Sequence, residues 1–442
     1  MKLALLVLLA LLLAAAPARA AGPEIGVADD RILFEGGADP DRTVAEWSAN
    51  GVDVVRLFAL WSRIEGKGGG YHWHSLDQAV QRVRGAGLKV MLTVSGPGPG
   101  GPYRPDKRKF AAFARAVASR YGADVDRYII WNEPNLPSWL QPQASCTRRG
   151  CTPVAPHLYR GLVRAAYPAI RSADPGAQVL IGTMSSRGHD LRSRNATLRP
   201  MVFLRALGCV DARYRRLRSG LCKGFRPATG DGFAFHPHGT LTSPDVAYRN
   251  PDDVNLASLG RLERALDRLQ RGGRLRATTR RFGLFLDEYG YQTRPPDRTA
   301  GVSLATQDRW LQKAAYRAWR DPRVRLLTQY QWLDEPLRRA GSRFAGWQSG
   351  LRFVSGKPKP ALAHFDTPMQ LDAARSRLWG QARPGGAQTV RVERRARGAT
   401  AYRLLATVRT DSRGYWTLKR RLTRGARYRF RTTLATSASW RR

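Results

Sequence analysis

Two glutamates in this 442-residue chain each close an apolar run. Tyr128-Ile-Ile-Trp-Asn-Glu-Pro-Asn135 begins like a fully buried strand. Pro134 cannot extend a central strand, so the strand should stop with Glu133 at its carboxyl end. Phe282-Gly-Leu-Phe-Leu-Asp-Glu288 is a second run of the same kind. Two carboxyls facing each other across the mouth of an α/β barrel, one as acid/base and one as nucleophile or base, are what hydrolysis of a glycosidic bond needs. Taken singly, Glu133 reads equally well as a strand-ending glutamate paired with an arginine; Glu288 tips the balance. Asp287 adjoins Glu288, and strand alternation predicts that it points to the opposite face. Glu288 is therefore the predicted functional group.

His236 and His238 lie two apart in Phe235-His-Pro-His-Gly239, so both can point to one side of a strand end. They could form a metal pair, but no third ligand matches them, and neither metal nor cofactor is predicted.

Elements that alternate along the chain must position these groups. Strands are predicted at 51–58, 89–94, 128–131, 178–183, 232–235, 282–286 and 325–332. Helices are predicted at 76–86, 110–120, 158–172, 199–207, 255–271 and 305–320. With an early strand near Ile32 this makes eight strands in βα alternation, which calls for a parallel sheet and fits a (β/α)8 TIM barrel with loop insertions. A doubly wound open sheet is the structural rival, yet no G-x-G-x-x-G follows a strand. Gly96-Pro-Gly-Pro-Gly-Gly-Pro102 is a turn-rich loop; no Gly-Lys-Ser/Thr follows to make it a phosphate cradle. After Asp366 short strands and turns replace the helices. They predict a small all-β, sandwich-like module, whose aromatics read better as core than as a polymer-binding surface. The expected organisation is a signal peptide at 1–20, a barrel at 21–366 and the β module at 367–442.

Met1-Lys2, the apolar stretch Leu3–Ala16 and Ala18-Arg-Ala20 have the pattern of a secretory signal peptide. No later stretch is as apolar, so no membrane span is expected after cleavage. Four cysteines suit an oxidising compartment. Local pairing, Cys146–Cys151 and Cys209–Cys222, is the simplest of three connectivities, and neither spacing suits zinc. The formal charge of +41, from 75 basic and 34 acidic residues, is spread along the chain. Such a charge attracts anionic polymers. The plainer origin of the charge is arginine-biased coding and a solvated, soluble surface, and secretion removes the protein from cellular nucleic acid. An anionic cell-wall polymer is the further candidate partner, and no specific nucleic-acid partner is predicted.

Trp131-Asn-Glu-Pro-Asn135 on the fourth strand and the strand-end Glu288 in Leu286-Asp-Glu-Tyr-Gly290 resemble the clan A glycoside hydrolases, with families 5 and 39 nearest. The resemblance covers about residues 25–366. It includes the barrel entry Gly51-Val-Asp-Val-Val-Arg56, the sixth-strand motif at His236, and the ending Gly356-Lys-Pro-Lys-Pro-Ala361. It implies a retaining mechanism on a carbohydrate substrate, with Glu133 as acid/base and Glu288 as nucleophile. Asn132 would bind the sugar 2-hydroxyl, and Arg56 would hold Glu288 ionised; a structural ion pair is the plainer role for Arg56. Glu133 would need a raised pKa to arrive protonated. The clan often carries Tyr where this chain has His238, which puts that contact with the nucleophile in question. Trp332 resembles the clan's sugar-stacking tryptophan, with Trp61 and Tyr291 as weaker candidates for the cleft. The rivals are a non-catalytic carbohydrate-binding barrel and a basic adhesion protein acting through its β module.

Overall fold

A computed structural model describes residues 22–36, 38–66, 68–98, 103–340 and 343–442; the expected signal peptide lies outside them, as does part of the loop at 96–102. Eight parallel strands close into a barrel: β1 (Glu24–Ala28), β2 (Val54–Leu60), β3 (Lys89–Ser95), β4 (Arg127–Ile130), β5 (Gln178–Ser185), β6 (Gly232–His236), β7 (Leu284–Tyr289) and β8 (Val324–Tyr330). Each strand pairs with its sequence neighbours, and β1 closes on β8 with Gly26 opposite Thr328.

The alternation of each strand sorts its side chains. Val54, Met91, Ile129, Leu180, Ala234, Phe285 and Leu326 pack together inside the barrel. Their neighbours, such as Val55, Val90, Ile130 and Leu286, join the larger core beneath the helices. The helix Leu259–Arg271 shows how the outer layer forms: Leu259, Leu262, Leu266 and Leu269 bury one face, and its arginines occupy the other.

The first strand departs from expectation. Ile32 lies on a one-turn helix, Arg31–Phe34, and β1 runs earlier, at Glu24–Ala28. A charged residue opens that strand, which masks it in a hydropathy reading. Glu24 is buried in the barrel floor, where its carboxylate meets Lys89 and Arg127 at 2.6 Å each.

From Met369 onward, antiparallel strands form a three-stranded and a four-stranded sheet. Both contribute to one apolar core that includes Met369, Leu378, Val390, Val392, Trp416, Tyr428 and Phe430. Trp379 packs on Tyr316 and Trp319 of the last barrel helix, with ring centres 5.4 and 5.9 Å apart. The Tyr415 hydroxyl donates to the Pro23 carbonyl at 2.8 Å, tying this region to the base of β1. Cys146–Cys151 bridges a hairpin after β4, and Cys209–Cys222 staples the segment between β5 and β6.

Candidate active site

Glu133 follows β4 across a turn in which Trp131 and Glu133 both adopt positive φ, 73° and 34°. For residues with a Cβ this conformation costs on the order of 1–3 kcal/mol each, so the surroundings must impose it. Asn135 does so. Its side-chain oxygen accepts from the Ser185 N–H at 2.9 Å, and its amide donates to the carbonyls of Leu198 at 2.9 Å and Ser185 at 3.3 Å. The Glu133 N–H reaches the Thr183 carbonyl at 3.1 Å, which fastens the turn to the end of β5.

Glu288 comes from β7, where the side chains do not keep strict alternation. Phe285 points into the barrel, and Asp287 continues that inward row. Asp287 is fully buried, with Oδ2 3.1 Å from His236 Nε2 and 3.4 Å from Arg56 Nε. Glu288 should then turn outward, but the β7–β8 register slips between Leu286 and Tyr289, and its carboxylate joins the same cluster. Both carboxylates therefore belong to the site.

Arg56, on β2 and fully buried, is the hub of the cluster. It donates to Glu288 through Nη1, to Asn132 Oδ1 through Nη2 at 2.7 Å and to Thr93 through Nε at 2.9 Å. Its contact holds the Asn132 amide oxygen, and the amide NH2 has no protein partner among the described residues. His236 Nδ1 stands 3.0 Å from Glu133 Oε1 and 3.4 Å from Glu288 Oε2. His238 Nε2 lies 3.5 Å from Glu288 Oε2, so the imidazole makes the contact that the sequence had left in question.

Burial by itself would strip the proton from His236. The Glu288 and Asp287 charges outweigh it and raise the ring to about 10, so both ring nitrogens carry protons. Burial likewise works against an ionised Glu288, yet the charges of His236 and Arg56 and a hydrogen bond from His238 hold its carboxyl well below the usual range. The atoms of His236, His238 and Glu288 lie within 4.8 Å of one another, close enough for a cation. Both His236 nitrogens already face carboxylates and Arg56 already holds Glu288, so the arrangement is a hydrogen-bonded charge network.

A cleft of about 1020 Å³ opens over this network, with Arg56, Asn132, Glu133, His238 and Glu288 in its wall. The expected aromatics lie elsewhere. Trp332 is buried edge-on against Phe365. It keeps the inward parity of β8, but the strand ends at Tyr330, and Asp29 captures the backbone N–H groups of Trp332 and Leu333 at 3.0 and 2.8 Å. Tyr291 is buried, donating its hydroxyl to Thr242, and Trp61 is buried against Phe113 with its N–H on Glu65. None of the three lines the cleft. Tyr330 and Trp347 do, and Trp347 is 41% exposed and stacked on His238 at 5.9 Å. Nothing in the sequence pattern singled out Trp347; counting β8 inward from Leu326 would have found Tyr330.

A closed eight-stranded parallel barrel with its polar cluster at the carboxyl ends of the strands has the architecture of the TIM-barrel glycosidases. Comparison narrows this: the model of the cellulase family, glycosyl hydrolase family 5, matches residues 36–205. That match supports a glycosidase activity, and the barrel is the fold shared by clan A glycoside hydrolases. Its fold is similar to that of a family 39 glycoside hydrolase from the gut symbiont Bacteroides cellulosilyticus WH2 (TM-score 0.55, 15% identity, 93% of this chain and 81% of that one). It is also similar to GH5_18 from Streptomyces cattleya, solved with GlcNAc (TM-score 0.50, 15% identity, 77% and 78% covered). No curated protein matches the sequence.

Proposed function

We propose that this glycosidase retains configuration by double displacement, with Glu288 as nucleophile and Glu133 as acid/base. One observation carries the reading: His236 Nδ1 is 3.0 Å from Glu133 Oε1 and 3.4 Å from Glu288 Oε2. The separation of those oxygens cannot exceed the sum of the two distances. Two carboxylates that share one imidazole nitrogen favour the roughly 5–5.5 Å spacing of a retaining pair over the roughly 6.5–9.5 Å of an inverting one.

In the first step the ionised Glu288 attacks the anomeric carbon while Glu133 gives its proton to the departing oxygen, leaving a glycosyl ester on Glu288. In the second, Glu133 takes a proton from water, which displaces Glu288 and restores the starting configuration. Arg56 holds Asn132 by its oxygen and so turns the amide NH2 toward the cleft, where it meets the sugar 2-hydroxyl. Tyr330 and Trp347 offer the aromatic surface for the ring. The substrate is a β-linked oligosaccharide, polysaccharide or glycoside.

The chain is exported by a signal peptide at residues 1–20, with the catalytic barrel at 21–366 and the β module at 367–442. The two disulfides fit an oxidising compartment, and among the described residues no helix is long and apolar enough to cross a membrane.

The test is turnover of a panel of aryl β-glycosides and polysaccharides, with proton NMR of the first-formed product. Retained configuration is expected. Glu133→Ala and Glu288→Ala should each lose most activity, and azide should rescue Glu288→Ala with inverted product. Inversion by the wild type would remove Glu288 as nucleophile. Saturable polymer binding without turnover would favour a carbohydrate-binding barrel.

A further inference from the structure

Arginines dispersed in the sequence converge on one sheet face in the fold. The final 76 residues hold nineteen of the 75 basic residues and three of the 34 acidic ones, so about a sixth of the chain carries +16 of its +41 charge. In the four-stranded sheet Val390, Val392, Tyr428 and Phe430 point into the core. Alternation therefore turns Arg391, Arg395, Arg427, Arg429 and Arg431 to the outside.

Register lines these residues up. Arg395 faces Arg427, which faces Arg441, and Arg391 faces Arg431. Like charges directly opposite each other on neighbouring strands are destabilising. Among the described residues, Glu393 is the one acid paired into this face, meeting Arg429 at 2.7 Å. The other five arginines have no carboxylate partner among the described residues. Tyr402 lies beneath Arg429 and Arg395, with ring-centre distances of 3.9 and 5.2 Å, and its hydroxyl is bonded to Ser439.

We infer that the outer face of this four-stranded sheet is a binding surface for an acidic polysaccharide, a glycan chain with repeated carboxylate or phosphate groups. The arginines form a lattice about 4.8 Å across strands and about 6.7 Å along them. An anionic chain laid over it would relieve the repulsion between facing guanidiniums. A neutral glycan or a run of bases would need open aromatic platforms, and the aromatic ring on this face is covered by guanidiniums. The two disulfides fit an oxidising compartment, away from intracellular nucleic acid. The choice of polymer rests on the glycosidase reading; the surface would hold the enzyme on anionic material while the barrel cleaves.

The test is binding of the full-length protein to immobilised polygalacturonate, with neutral β-1,4-galactan for comparison. Wild type should bind polygalacturonate alone, more weakly as salt rises. The variant R391Q/R427Q/R431Q should bind at least about tenfold more weakly, with turnover of a soluble aryl glycoside unchanged. The control R164Q/R264Q/R309Q removes three exposed arginines from barrel helices and should bind like wild type. Equal losses in the two variants would reduce the effect to net charge and overturn the site. So would undiminished binding by the sheet variant. Tighter binding to duplex DNA or to phosphatidylglycerol vesicles, lost in the sheet variant, would overturn the polysaccharide assignment. Because binding is read without turnover, an inactive wild type that still binds would defeat the glycosidase reading and leave the surface standing.

Discussion

Replacing Asp287 by Asn removes one charge from the centre of the network with little change of shape. Asp287 Oδ2 is 3.1 Å from His236 Nε2 and 3.4 Å from Arg56 Nε, and all three side chains are fully buried. At an effective dielectric of about 20, each contact amounts to roughly 5 kcal/mol of Coulomb attraction. Desolvation cancels much of that, and removing one member of such a buried set costs about 3–5 kcal/mol. The pH dependence follows from His236, which rises from an ordinary 6.5 to about 10 in the folded chain. A raised folded pKa gives stability that is complete below pH 6.5 and is lost as pH climbs toward 10. Without Asp287 the ring keeps fewer carboxylates, so that loss should still begin near pH 6.5 but be complete at a lower pH, over a narrower window. Urea denaturation between pH 6 and 10 measures the first effect. The second should appear in kcat/KM against pH for an aryl glycoside, where the alkaline limb of Asp287→Asn should move to lower pH. A variant as stable as wild type, with the same alkaline limb, would refute Asp287 as a positioning residue for His236.

Three further outcomes follow from where side chains lie. Trp347→Ala should raise KM severalfold with little effect on stability, because its ring is exposed in the cleft. Trp332→Ala should instead destabilise by about 3–5 kcal/mol, since that ring is core; thermal melts and Michaelis–Menten kinetics separate the two, and the reverse pattern would restore Trp332 to the cleft. Lys359→Met should cost about 3–5 kcal/mol in denaturant unfolding, because the buried ammonium holds Asp334 Oδ1 at 2.7 Å, Thr293 Oγ1 at 2.8 Å and the Gln348 carbonyl at 2.9 Å. An unchanged midpoint would show that those loops do not depend on the ion pair.

Much of the barrel was readable because β4 and β7 are buried on both faces and so appear as unbroken apolar runs, each stopping at a glutamate. The helices were readable from their spacing of leucines and alanines. Strand ends were harder. Hydropathy missed β1 because Glu24 is satisfied by Lys89 and Arg127, which lie distant in sequence. Alternation misjudged Asp287 because register slippage at the end of β7 brings two successive carboxylates to one place. Trp332 was misplaced by a two-residue overrun of β8, whose end is decided by Asp29 at the other end of the barrel chain.

From the sequence came the alternation that makes a parallel barrel and the strand-end positions of Glu133 and Glu288, which depend on neighbours within a few residues; for the cysteines it offered local pairing as the simplest of three connectivities. Only the tertiary structure decided that Asp287 and His236 join the glutamates and Arg56 in one buried network. It alone also set Tyr330 and Trp347 in the cleft and gathered arginines from separate strands onto one face. These features depend on register and barrel closure, which pair residues tens to hundreds of positions apart and leave no periodic trace along the chain.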